Sequence, residues 1–540
     1  MGSWGERGRV GGAHRVAALA CLAGLLAACD PEARAQVVLV VDTDLPVPTL
    51  ADALRVELWS EDGAIESRVV PVRDPSELPL SFGVVIPAGR SVRARLRLHR
   101  EERTYRVYPN QARAGDEDEP IADYAVDRLL TLDAPAAGIA RYLVRLDGDC
   151  LAVPADLEAD ATCVSGRCAG ERCESPRAGL EPIDAPPPTR SGAWAVVVPA
   201  PCEAAAAPPA HWDEARACID GGFFYIGDSR VGITFCADAE SRFHCNTVPE
   251  RPVRVPPFEI DRFEVTARRY REAIERGAVT PRLEQRFDAL ARPLCHLGRP
   301  DGDELPMNCV TFAEAAQFCR AAGGALPTEA QWEYVASGRG DERSFTWGNA
   351  SASCESAAYA RIGPTVERAF GISGVDCARP TIASGAECCG TARPECEPAL
   401  APARPDVSGW PLDGPQPVGA FCEDRTRDGV FDMGGNVKEW TLDWRRFFGQ
   451  RDACWDRAGV FEDPRCCGRT MERSPLYGAS PPPCDDERET RDDGRVVQVS
   501  RPVRGASWAA PPGVLPTSTR WGSSDSSSWE IGFRCVYPSR

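Results

Sequence analysis

Between Gly429 and Trp444 the chain reads G-V-F-D-M-G-G-N-V-K-E-W-T-L-D-W, two carboxylates around a double glycine ahead of an alternating, aromatic-rich segment. Gly434 and Gly435 lack the Cβ that makes positive φ costly, so they allow a tight bend. Past the bend, an extended backbone turns the carbonyls of Gly435 and Val437 to one side. Together with Asp432 and Glu439 they would place four hard oxygen donors around one point, a set suited to calcium rather than a transition metal. The plainer alternative is a surface turn with two solvated carboxylates. Glu439 and Asp443 do not form an acid/base pair, since one of them would serve the metal. Ser523–Ser528 is a serine-rich loop without a G-x-S-x-G elbow or a neighbouring histidine, so no hydrolytic triad is read there.

The elements around this stretch are short. Thr266 can cap a helix running to about Arg276 and stopped by Gly277. Thr311-Phe312-Ala313-Glu314 is a capping box, opening a helix that sets Phe312, Ala315, Ala316 and Cys319 on one face. Thr328–Gln331 is a second box, before Trp332 and Tyr334. Few helices, short strands and glycine turns predict an irregular α+β domain over residues 216–540. Upstream, residues 36–149 carry short runs at Val37–Val41, Leu54–Trp59, Ser67–Val72, Ser91–His99 and Arg141–Leu146, which predict an all-β, sandwich-like domain. Cys150, Cys163, Cys168 and Cys173 follow in residues 150–173 and could form two disulfides in any of three connectivities. Residues 174–215 are rich in Pro and Ala and read as a semi-rigid linker, although Trp194–Val198 could be an early strand.

A chain of 540 residues with this pattern suggests two or three domains, and its net charge of −18 excludes a nucleic-acid partner or a basic patch on an anionic bilayer. Residues 1–28 resemble a signal peptide: Arg7, Arg9 and Arg15 precede the apolar run Val16–Ala28. The run ends in Leu26-Ala27-Ala28-Cys29, which resembles a bacterial lipoprotein box, so Cys29 is the expected lipid attachment point. The alternative is a plain secretory signal cut near Ala28. Either way the chain is expected outside the cytoplasm; with the lipid it is membrane-anchored in the periplasm or at the outer-membrane surface. Of 24 cysteines, setting aside Cys21 and Cys29 leaves an even 22, which outside the cytoplasm reads as disulfides. Two long insertions, at about 350–415 and 446–498, hold many of them and would be stapled shut.

Several motifs then occur in a telling order: G-G-F-F-Y-I-G from Gly221, P-E-R-P-V-R-V from Pro249, F-E-V-T from Phe263 and C-V-T-F-A-E-A from Cys309. L-P-T-E-A-Q-W-E-Y follows from Leu326, T-W-G-N from Thr346, R-P-V-R-G-A-S-W from Arg501 and I-G-F-R-C from Ile531. With the Gly429–Trp444 stretch, this series resembles the formylglycine-generating enzyme (sulfatase-modifying factor) family. The resemblance implies a calcium-containing, C-type-lectin-like variant fold, the calcium donors named above, and a disulfide between Cys319 and Cys535. It also implies a chemistry, oxidation of a client sulfatase cysteine with oxygen and a copper(I) held by two thiolates just after a G-G-S-W-like motif. Here that motif is Gly505-Ala506-Ser507-Trp508, Ala510 stands at the first thiolate position, and no cysteine lies between Cys484 and Cys535. Alanine cannot ligate copper, so copper is not expected and no catalytic residue is assigned. A related iron-dependent branch uses an added His-rich domain, whereas His99, His211, His244 and His296 here form no H-x-x-x-H pair. Trp440, Trp508, Arg520 and Trp521 are candidates to line a groove. The expected protein is a lipid-anchored, non-catalytic binding or accessory module for a peptide, protein or glycan. Its alternatives are a formylglycine-generating oxidase and a structural surface protein.

Overall fold

Period-two alternation of valine and leucine builds the first part of the molecule. The computed structural model describes residues 35–540 apart from 60–64, 88, 104–118, 137, 168–172, 205–207, 229–246, 281–293, 362–413, 447, 449–453, 456, 469, 474, 478–487, 491–494 and 524–527. The signal segment, Cys29 and most of the first insertion therefore lie outside the described residues.

Strands β1 (Ala35–Thr43), β2 (Ala53–Trp59), β3 (Ile65–Pro71), β4 (Leu80–Ile86), β5 (Ser91–His99), β6 (Ala125–Asp133), β7 (Ile139–Leu146) and β8 (Glu181–Pro182) form two four-stranded sheets. Their orders are β4-β1-β7-β8 and β3-β2-β5-β6. β1 runs antiparallel to β4 and parallel to β7. Alternate residues of both sheets, among them Val37, Leu39 and Val41 from one and Leu54, Val56, Leu96 and Leu98 from the other, meet in a single apolar core. β6 turns Asp127 to the face away from this core, where it is still buried and Arg95 grips it, Nη2 to Oδ2 at 2.9 Å. Cys150 pairs with Cys163, which settles one bridge of the compact cysteine cluster.

The Pro- and Ala-rich passage is not a free linker. β8 adds to β7, Thr189 Oγ1 donates to Asp42 at 2.9 Å, and Trp194 Nε1 donates to Asp149 at 2.8 Å. Ala195–Val197 is a 3-10 turn and not a strand. Cys202 is then tied to Cys218 in the next strand.

Short pieces dominate thereafter. β9 (Arg216–Ile219), β10 (Gly222–Ile226), β11 (Arg251–Val255) and β12 (Phe258–Asp261) precede helices α1 (Ala267–Glu275), α2 (Phe312–Ala321) and α3 (Glu329–Ala336). All three helices start as their sequences require. Thr266 Oγ1 accepts from Arg269 N, and Thr311 with Glu314 and Thr328 with Gln331 form reciprocal capping boxes. β13 (Lys438–Trp440), β14 (Phe461–Glu462), β15 (Pro464–Cys467), β16 (Thr470–Arg473), β17 (Arg488–Thr490), β18 (Val496–Gln498), β19 (Arg501–Arg504), β20 (Arg520–Ser523), β21 (Ile531–Gly532) and β22 (Val536–Pro538) complete the order. The sheet that matters most here is β20-β19-β13-β21, because β13 brings the Gly429–Trp444 stretch beside the two closing motifs of the chain.

Candidate functional site

The bend before β13 is built differently from its sequence reading. The residues at positive φ are Asp432 (61°) and Asn436 (68°), and neither Gly434 nor Gly435 is among them. These two glycines serve close approach instead. A Cβ on Gly435 would lie 2.6 Å from the Ala358 carbonyl oxygen, and one on Gly434 would lie 2.9 Å from Asp424 Oδ1. Asp424 holds the bend by accepting from Gly434 N at 2.9 Å and Thr346 Oγ1 at 2.6 Å, and burial pushes its carboxyl up to about 6. The bend is buried, so the surface-turn alternative is set aside.

Three carboxylates gather under it. Glu439 accepts from Trp332 Nε1 at 2.8 Å and from Arg534 Nη2 at 2.6 Å and Nε at 2.7 Å. Asp432 accepts from Gly419 N. Glu264, from the F-E-V-T motif, accepts from Asn436 Nδ2 at 2.8 Å and Val437 N at 3.1 Å. Burial raises the Glu264 carboxyl well above its ordinary range, and the neighbouring Asp432 and Glu439 add to the shift. Both carboxylates expected to hold calcium thus have protein partners: Glu439 turns its oxygens to Arg534 and Trp332, and Asp432 accepts from Gly419 N, while Val437 gives its N–H to Glu264. The cluster offers hard oxygen donors and a surplus of buried negative charge, but a calcium ion would have to displace a protein partner of Glu439. Sequence reasoning missed Glu264 and Arg534 as members, although both stand inside motifs quoted for the family.

Two of the four groove candidates are core residues. Trp440 is fully buried and donates to the Val310 carbonyl at 3.1 Å. Arg520 is buried too, its Nε and Nη2 reaching Glu329 at 2.5 and 2.6 Å. Arg504 bonds the same Glu329 at 3.0 Å and also Glu333, so two arginines and two glutamates neutralise one another beneath α3. Asp443 lies above this group, accepting from Glu329 N and Cys466 N, each at 2.7 Å.

The other two candidates lie near Ala510, in neighbouring apolar clusters. Trp508 packs on Trp529 with ring centroids 5.0 Å apart, and its buried indole N–H has no acceptor among the described residues. Trp521 donates to the Gly505 carbonyl at 3.2 Å and carries Lys438 Nζ over its ring at 4.6 Å. Ser507 Oγ donates to Glu530 at 2.6 Å, and Lys438 lies 3.4 Å from the same carboxylate. Lys438, Trp529 and Glu530 carry no sequence signal of their own. Ala510 sits in an apolar cluster with Ala357, Tyr359, Ala360, Ala506, Val514 and Leu515. Every described cysteine is in a disulfide. Cys319–Cys535 is among the bridges, joining α2 to the end of the chain with S–S 2.02 Å. Among the described residues no group of three or more His, Cys, Asp and Glu side chains is placed to hold a metal.

A buried bend, capped helices and short strands converging on β13 define the class. The family model for the sulfatase-modifying factor enzyme 1-like domain matches residues 204–383 and 402–538, and the chain belongs to that family. Among curated proteins it is similar to hercynine oxygenase of Mycolicibacterium smegmatis, 26% identical over 56% of this chain and 56% of the relative. It is also similar to the formylglycine-generating enzyme of Streptomyces coelicolor, 30% identical over 28% of this chain and 58% of that protein. A third relative is the inactive C-alpha-formylglycine-generating enzyme 2 of Mus musculus, 28% identical over 25% and 52%. The chain spans about half the length of these curated relatives.

Proposed function

We propose that the family domain works outside the cytoplasm as a non-catalytic binding or accessory module, tethered through a lipid on Cys29. Its ligand, a peptide, protein or glycan segment, would lie against Trp508, Trp521 and Trp529, with the Trp508 indole N–H donating to a ligand carbonyl or hydroxyl. One observation carries the reading: Ala510, where the resemblance implies the first copper thiolate, packs among apolar side chains. An alanine methyl offers no lone pair to a metal, and soft thiolates are what copper(I) requires. The mouse relative named as inactive is a precedent within the family for an idle member. Calcium belongs to the same proposal, held by Asp432 and Glu439 with the Gly435 and Val437 carbonyls, as a brace for the bend.

The names of two relatives favour an enzyme, and the rival is an oxidase of a client cysteine. Thiol counting on the purified mature chain, followed by copper(I) titration and incubation with a sulfatase-derived cysteine peptide, separates the two. The binding module has no pair of reduced thiols, no stoichiometric copper(I) complex and no aldehyde product. An aldehyde on the peptide would overturn it.

A further inference from the structure

The outer face of the sheet β4-β1-β7-β8 is closed at one end and open at the other. At the closed end Thr189 Oγ1 and Arg190 N donate to the outward Asp42, and Val40 and Leu143 nearby are 3% and 2% exposed. At the open end Val85 and Ile139 flank Gln36 from the two neighbouring strands and are 57% and 59% exposed. Val38 follows one step along the same face, partly exposed. Pro87 and Ala136 extend the apolar surface around the strand ends, where Gln36 N donates to the Gly138 carbonyl at 3.2 Å. We infer that this end of the sandwich rests on a lipid bilayer, with Val85 and Ile139 entering its headgroup region. The inference rests on the lipid attachment proposed above for Cys29.

The strand register fixes which end this is. Ala35 pairs with Ile86, and Gln36 with both Val85 and Ile139, so the chain enters β1 at the open end. The residues from Cys29 to Ala35 reach no more than about 20 Å, so a lipid on Cys29 would hold this end close to the bilayer. A net charge of −18 offers no electrostatic attraction to anionic lipid, and branched apolar side chains need none, since they gain by leaving water. Asp133, at the rim, is already occupied, accepting from Ser91 Oγ at 2.6 Å and pairing with Arg177. A single lipid chain anchors weakly, and a second contact of this kind makes the tether durable.

Transfer between vesicles tests this. The mature chain is bound to donor vesicles of phosphatidylcholine and phosphatidylethanolamine, and its passage to acceptor vesicles of the same lipids is timed. Val85→Glu combined with Ile139→Glu should speed transfer by about tenfold or more, the scale of returning two branched side chains to water. Val69→Glu should leave it unchanged, since Val69 is 48% exposed but paired through Arg55 to Arg97 near the far end of β5. Val85→Ser combined with Ile139→Ser keeps the test alive where the glutamates unfold the sheet. The mass of the amino-terminal peptide reads the lipid separately. With the lipid present, unchanged transfer in a folded double variant, or equal acceleration by Val69→Glu, would overturn the membrane contact. Without the lipid the anchor reading fails, and the contact is overturned too unless the wild type still sediments with the vesicles and the folded double variants do not.

Discussion

Arg534 and Glu439 meet entirely inside the protein, Nη2 to Oε1 at 2.6 Å, with their side chains 0% and 1% exposed. The pair fastens the β13 stretch to the final motif of the chain, and Arg534 also donates to the Phe431 carbonyl at 2.8 Å. Removing one partner strands the other as a buried, unpaired charge. Glu439→Ala should therefore cost about 3–5 kcal/mol in denaturant unfolding, while a double apolar replacement such as Glu439→Leu with Arg534→Met should recover much of it. A single variant as stable as the wild type would show that the charges are not paired in solution.

Asp443 supplies a pH signature. Burial, and then the nearby Glu329, push its carboxyl up to about 7. In the unfolded chain it titrates near the ordinary value of about 3.9. The folded state thus binds the proton more tightly, and the associated stability is present in full at low pH. It is lost as pH rises from about 4 to about 7. Subtracting the Asp443→Asn stability curve from that of the wild type should give a difference that falls across this window and is flat above it. A flat difference throughout would refute the shift.

His296 should act in the opposite sense. Burial lowers its imidazole to about 4, and Nδ1 lies 2.6 Å from the Pro306 carbonyl oxygen. Folding favours the neutral ring, so its contribution is whole above about 6.5 and disappears as pH falls toward 4. NMR titration of the ring carbons should place its midpoint below 5 if the side chain is buried as described.

How far the primary structure reveals these features depends on range. The helix starts were legible because a capping box closes over three residues, and Thr311–Glu314 and Thr328–Gln331 did so. Strands β2 and β5 were legible from alternation, whereas β6 sets a buried charge, Arg128, between Val126 and Leu130 of its inward pattern. The ion pairs that brace the site were not legible. Glu439 to Arg534 spans 95 positions, and Glu329 reaches Arg504 and Arg520 across 175 and 191. Motif recognition marked those residues as belonging together but left their partners unassigned, so Arg520 was read as a groove residue when its charge is consumed in the core.

The bridge between Cys319 and Cys535 closes 216 residues. Replacing both cysteines with alanine should lower stability by about 3–5 kcal/mol, chiefly by freeing the unfolded chain. Thermal unfolding of the reduced and double-alanine forms should agree if this bridge dominates the redox sensitivity of the fold.

Calcium is tested by removal. Stripping divalent ions with a chelator and then adding calcium chloride should raise the melting temperature if Asp432 and its neighbours hold the ion, and Asp432→Asn should abolish the rise. No response in the wild type would overturn the calcium assignment.

The junction of Arg103 with Glu250, Arg251 with Asp123 and Tyr124 against Tyr225 has a mechanical meaning. A pull on the amino-terminal end would travel through paired charges and tilted, packed rings into β10 and β11 instead of dissipating in a slack tether. These contacts would carry such a load from one part of the chain to the other, and removing either arginine would weaken the connection.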